Sequence, residues 1–264
     1  MRPLIPRSLP AGIQAKLDRA YEHMDALQSA SDAFLETEPY TLSRQLDADG
    51  REHVYVFSKY TEPPLRISTI VGDAVHNLRT TLDHMVLALA QAGAKADRLT
   101  MSAQAETGLQ FPITGSSELF NEQIRRNRLR FIKAEAKALI ESVQPYNTRP
   151  SRWQTTVLAV LKFLDDRDKH RNVPVIGSAV SFLVGELPPG VARPAAHFMG
   201  GWGPNAEVVR YVFDAPHPEV DINLGSSFRV IIEGVFPLGT ADDQLRNYAQ
   251  WLRREVLEPL SDYL

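Results

Sequence analysis

RWQTTVLAVLKFLDDRDKHRNVPVIGSAVSFLVGE, residues 152–186, changes its repeat halfway along. Before Asn172 the apolar residues Trp153, Val157, Val160, Leu161 and Leu164 recur every three or four positions, the pattern of a helix with one buried face. Pro174 ends that helix, because a proline disfavours helical geometry in the residue before it. Beyond it come VSFLVGE (180–186), AAHFMGG (195–201), EVVRYVFDA (207–215) and FRVIIEGVF (228–236), rich in β-branched and aromatic residues and broken by Gly and Pro. Three or four antiparallel strands are expected there.

Upstream, Ile13, Leu17, Ala20, Met24, Leu27 and Phe34 predict an amphipathic helix over 10–36. YTLSRQL (40–46) and HVYVFSKY (53–60) flank Asp49-Gly50 and predict a hairpin. Further helices are expected at 64–93, 117–143 and 152–169, with a loop holding Gly108, Pro112 and Gly115. Ser116 or Ser117 can cap the helix at 117. Thr240 opens a last helix with Leu245, Leu252, Val256 and Leu260 on one face. The order predicts an α+β fold: a bundle of about four helices with a hairpin inserted near 40–60, then a small antiparallel sheet and a C-terminal helix. One domain is expected over 1–264, with a helical part at 1–172, a β-rich part at 173–239 and a closing helix at 240–264.

A net charge of −3 gives no global basic field for nucleic acid. With no cysteine there is no disulfide, thiolate zinc site or cysteine nucleophile, which fits a reducing cytoplasm. MRPLIPRSLPAG (1–12) carries prolines where a signal peptide needs an unbroken apolar stretch. The apolar runs MVLALAQAGA (85–94) and VLAVLKFL (157–164) are too short to span a bilayer. A cytoplasmic protein without a membrane partner is therefore expected.

Within the 64–93 helix lies GDAVHNLRTTLDH (72–84). On a helical wheel Ile67, Val71, Ala74, Leu78, Leu82, Met85 and Leu89 form the core stripe. His76 and Asp83 stand two turns apart on nearly the opposite side, flanked by Arg79, and Asp73, Asn77 and His84 form a second polar row. A merely solvated face would carry Lys and Glu, so hydrogen-bonding roles are expected here. A second cluster is DDRDKHR (165–171). Asp168 continues the core stripe four residues past Leu164 and needs a partner; Arg79, His76 and His84 are the candidates. The two clusters should therefore meet, and Asp168→Ala should cost on the order of 2–4 kcal/mol if the pair is buried. Asp166 and His170, four apart, can face one ligand, while Lys169 and Arg171 suit a helix C-terminus.

GDAVHNLRTTLDH, QFPI (110–113), QPY (144–146) and DKHR (168–171) together resemble a widespread set of uncharacterised bacterial proteins with the pattern G-D-x-x-H-N-L-R-x-x-L-D-H followed by D-K-H-R, over roughly the first two thirds of the chain. That likeness carries no activity. Arg79 to His84 also has the R-x-x-x-x-H spacing of the HEPN superfamily, small and often dimeric helical domains, many of them metal-independent ribonucleases of toxin or phage-defence systems. The resemblance implies Arg79 and His84 as a catalytic pair, RNA as partner, a homodimer and no cofactor; on the residues themselves, Asp83 or Asp168 can orient His84 or pair with Arg79, with His76, Asn77, Asp73, Lys169 and His170 as supporting candidates. The chemistry is coherent: a histidine moves the proton of the attacking 2′-hydroxyl and a guanidinium holds the phosphate. IRRNRLRFIKAEAK (124–137) with Phe131 is either a phosphate-tracking run or a solvated helix face. Two other readings stand beside this one. One is a non-catalytic ligand- or protein-binding module in which the Asp, His and Arg residues form a structural network. The other is a metal-dependent hydrolase with ligands from His76, Asp83, His84, Asp168 and His170.

Overall fold

The computed structural model describes residues 9–170, 173, 175–184, 195–198, 203–220, 224–235 and 239–264. Arg171 lies outside them, as do residues 199–202 of the expected strand region and the side chains of His170 and His197. The fold is α+β, as the change of repeat at Pro174 predicts.

The chain forms α1 (Ala11–Leu35), β1 (Tyr40–Leu46), β2 (Glu52–Tyr60), α2 (Leu65–Ala96), α3 (Ala103–Thr107), α4 (Ser117–Arg125), α5 (Ala134–Ser142), α6 (Pro145–Thr148) and α7 (Val157–His170). Strands β3 (Val175–Val184), β4 (Ala195–Phe198), β5 (Glu207–Val212) and β6 (Leu224–Ile232) follow, then α8 (Ala241–Leu252) and short helical turns to Tyr263. Two compact units result. One gathers residues 1–27, 68–173 and 234–264; the other gathers 28–67 and 174–233.

The first unit is helical. All seven residues of the α2 stripe are buried, together with Val75, Val86 and Ala90. Around them lie Ile13, Leu17, Ala20 and Met24 of α1, Leu158, Leu161 and Leu164 of α7, and Leu245 and Leu252 of α8. Each such leucine taken from water contributes roughly 1.5–3 kcal/mol. Thr240 caps α8 in a reciprocal box with Asp243. No helix among the described residues is long and apolar enough to cross a membrane.

The second unit holds two antiparallel sheets. The hairpin β1–β2 pairs along β2 with β5, and β5 with β4, giving the order β1-β2-β5-β4; among the described residues β3 pairs with β6 alone. The hairpin thus belongs with the late strands, and those strands do not make one sheet. Pairing between β2 and β5 joins segments about 150 residues apart, which local periodicity cannot reveal.

Three sequence expectations are corrected. Residues 117–143 are not one helix: α4 stops at Arg125 and α5 starts at Ala134, because Asn127 and Phe131 take positive φ of 59° and 67°. Trp153 leaves the α7 stripe. It sits in a 3-10 turn over Pro150–Thr155, 36% exposed, with its indole against Gly115. The expected loop before residue 116 contains α3, capped by Ser102.

Candidate functional site

The polar residues of α2 project along three directions, each meeting a different neighbour in the helical unit. Toward residues 108–114 stand Arg79 and Asp83. Arg79 Nη1 donates to Asp83 Oδ1 at 2.8 Å and Nη2 donates to the Phe111 carbonyl at 2.8 Å. The Phe111 amide donates to the same Asp83 oxygen at 2.8 Å. Both polar groups of one peptide residue are thereby satisfied by an ion pair one turn long, and Phe111 itself is fully buried. Arg79 has only 10% of its side chain exposed, against 35% for Asp83.

The same segment is held from its other side. Gln144 is completely buried; its Oε1 accepts from the Thr114 amide at 3.0 Å, and its Nε2 donates to the carbonyls of Pro112 and Ile140 at 2.9 and 3.0 Å. QFPI, QPY and the R-x-x-x-D step of α2 therefore converge on one buried strip of backbone.

Toward α7 stand His76 and Gly72. His76 Nδ1 lies 3.4 Å from Asp165 Oδ1, and Lys169 Nζ donates to Asp165 Oδ2 at 2.5 Å. Asp165 is 5% exposed and His76 is 59% exposed, so a buried carboxylate orients a solvent-facing imidazole. The Thr80 hydroxyl, which donates to the His76 carbonyl at 2.8 Å, is 3.5 Å from Nε2. Asp168 lies directly over Gly72, where a Cβ would come within 2.1 Å of its Oδ1. Burial raises the Asp168 pKa above the ordinary carboxylate value, and the charges of Asp73 and Asp165 push it further the same way.

Toward α1 stand Asp73, Asn77 and His84. Asn77 donates to the Asp73 carbonyl at 2.8 Å. His84, half-buried, has Nδ1 3.6 Å from where a Cβ on Gly12 would be. The Asp73 carboxylate offers charge to His23, whose pKa is nevertheless lowered by burial and by Arg19.

The two polar clusters thus meet, but not through the expected pair. The buried acid with partners is Asp165, which the sequence pattern alone does not single out. A signal for it exists: Asp165 is four residues after Leu161 and seven after Leu158, the true core stripe of α7. The charges of Asp73 and Asp165 act on Asp168 more strongly than those of His76 and Lys169, which act in the opposite sense. Asp166 pairs outward with Lys162. Among the described residues no three His, Asp or Glu side chains come together in a metal-holding arrangement. Asp83 faces Phe111 and His84 faces α1, away from the α7 group.

Chemically, the α2–α7 contact brings Asp165 and Asp168, with the charge of Asp73 acting on Asp168, against His76 and Lys169. It holds more carboxylates than cations, which disfavours a phosphodiester. His76 faces solvent, but Arg79 is turned to a different neighbour and already engaged. Comparison with family models, with curated proteins and with solved structures returns no match.

Proposed function

We propose that this protein is a non-catalytic binding module in which the polar residues of Gly72 to His84 are a structural clamp. The observation that supports this reading most is the shared engagement of Phe111: Arg79 and Asp83 bind its carbonyl and amide, while Gln144 binds the Pro112 carbonyl and the Thr114 amide just beyond it. A guanidinium fixed at both terminal nitrogens cannot also fork onto a phosphate without breaking the strip it holds.

A HEPN-like, metal-independent ribonuclease is the second reading. Its support is the Arg79–His84 spacing and the partial exposure of His84. Against it, five residues of helix splay those two side chains by about 140°, and each meets a different neighbour. Both readings are compatible with a cytoplasmic protein and with a homodimer.

The test is a panel of RNAs, tRNA included, incubated in EDTA with wild type, His84→Ala and Arg79→Lys. The binding-module reading predicts no product from wild type above the His84→Ala background. Products ending in 2′,3′-cyclic phosphate, lost in both variants, would overturn it in favour of the ribonuclease.

A further inference from the structure

Residues 125–133, RRNRLRFIK, hold five cations and no acid in a chain whose net charge is −3. On a continuous helix such a run would be an ordinary solvated face. The fold does something else with it. The helix ends at Arg125, and Asn127 and Phe131 adopt positive φ, so the run becomes a tight turn. Asn tolerates that conformation, but for Phe131 it is a strained one held by its surroundings. The Phe131 carbonyl is pressed against Gly93 of α2, and the Arg130 guanidinium lies 4.6 Å above the Phe131 ring.

The turn faces α3 across a cavity of about 260 Å³ lined by Ser102, Gln104, Gly108, Arg126, Asn127 and Arg130. Its wall is fixed by two ties: the Gln110 amide donates to the Arg128 carbonyl at 3.1 Å, and Arg128 Nη1 donates to the Gly108 carbonyl at 3.1 Å. Arg128 itself stands behind the lining, its Nε buried with no hydrogen-bond partner among the described residues. Arg130 makes no ion pair among the described residues, and Arg126 is paired only with Glu122 at an exposed site, where such a pair is weak. Ser102 keeps its hydroxyl proton, since its oxygen serves only as acceptor for the Ala105 amide. The lining therefore offers forked donors, an amide and a hydroxyl, and no carboxylate.

We propose that this cavity binds the phosphate group of a small phosphomonoester. A dianionic phosphate accepts several charge-assisted bonds at once, which suits two guanidinium forks and neutral donors around one small surface cavity. The donors form one compact cluster over residues 102–108 and 126–130, open to solvent, which suits a single terminal phosphate on a small molecule; a polymer backbone needs a line of cations along a through-going groove. The proposal goes beyond the binding-module reading and is independent of it: the α2 clamp and this cavity share no residue, and a catalytic α2 would leave the cavity's chemistry unchanged.

The test is calorimetric titration of the full chain with inorganic phosphate, with a nucleoside 5′-monophosphate, with the same nucleoside lacking phosphate, and with a short RNA whose ends carry no phosphate. Each is repeated on Arg130→Gln, on Arg126→Gln and on Arg66→Gln, an exposed control at the start of α2. Phosphate and the monophosphate should bind wild type and the control alike. Arg130→Gln should weaken both by about tenfold or more, with Arg126→Gln weaker too. The bare nucleoside should not bind. Amide shifts on adding phosphate should map to 102–108 and 126–130. Phosphate and monophosphate binding that is absent, or equal in Arg130→Gln and the control, would overturn the proposal. So would binding of the RNA without binding of either phosphate. Because every substituted arginine is exposed, an unchanged melting temperature is expected. If one variant is destabilised, the amide map on wild type decides instead, and shifts that fall outside 102–108 and 126–130 would overturn the proposal.

Discussion

Replacing Gly72 by Ala probes the contact between α2 and α7 through two opposing effects. In a helix interior, Ala is favoured over Gly by about 1 kcal/mol. Here the new methyl would sit 2.1, 2.5 and 2.7 Å from Asp168 Oδ1, Cγ and Oδ2, about 1 Å inside ordinary contact. The carboxylate must swing or α7 must retreat, a cost of about 1–3 kcal/mol. Gly72→Ala should therefore lose about 0–2 kcal/mol net. Asp168→Ala removes the obstacle and also a carboxylate whose pKa is raised by burial and by Asp73 and Asp165. It should be within about 0.5 kcal/mol of wild type at pH 7, in place of the large loss that a cationic partner would imply. In the Asp168→Ala background Gly72→Ala should change sign and stabilise by about 0.5–1 kcal/mol. Urea unfolding of the four proteins, followed by far-ultraviolet ellipticity, gives the cycle. The same effect of Gly72→Ala in both backgrounds, to within about 0.5 kcal/mol, would refute the reasoning.

Other expectations follow from the same geometry. The Asp168 carboxyl has a raised folded pKa, so the unfolded chain gives up its proton first and this group's contribution to stability falls as pH rises from the carboxylate range; Asp168→Ala should gain on wild type between pH 4 and pH 7 in urea melts. His53 is the opposite case. It is fully buried on β2, its Nε2 lies 3.1 Å from the His217 carbonyl, and its Nδ1 has no hydrogen-bond partner among the described residues. Burial and then Arg44 lower its pKa below 6.5, so the unfolded chain binds the proton more readily and stability of the strand unit should fall as pH drops below 6.5. An imidazole titration by NMR with a midpoint at or above 6.5 would contradict this. Gly93→Ala would place a methyl 1.9 Å from the Phe131 backbone carbonyl, which cannot swing aside as a carboxylate can. It should cost about 3 kcal/mol or more, and Phe131→Ala should not rescue it; a melting temperature within a degree of wild type would contradict the close approach.

Local repeats carry much of this fold. The α2 stripe, the α8 face and the Asp-Gly hairpin each follow from neighbours a few residues apart, and the structure keeps them. What local repeats cannot carry is long-range pairing, such as β2 with β5, and breaks made by tertiary contact. The turn at 126–133 has no Gly or Pro to announce it; it exists where the Phe131 carbonyl meets Gly93. The candidate site is legible as residue types and not as partners. The sequence marks Arg79 and Asp83 as unusual for a helix face, yet their partner is a peptide group, and a backbone amide has no signature of its own. Asp165 is hidden behind Asp168 because including Trp153 in the helical repeat shifts the stripe.

The central claim is that Arg79 and Asp83 serve the fold by holding Phe111. Asp83→Ala removes both bonds to its Oδ1 and strands a guanidinium that is 10% exposed. With water able to reach a carboxylate site that is 35% exposed, the loss should be about 2–3 kcal/mol. The most direct measurement is a double-mutant cycle of Arg79→Ala and Asp83→Ala by urea unfolding, with hydrogen exchange of the Phe111 amide read in each protein. The clamp predicts a coupling of at least about 1 kcal/mol and faster Phe111 exchange in Asp83→Ala, with amides in the middle of α1 unchanged. Additive losses with the Phe111 amide equally protected in all four proteins would contradict it.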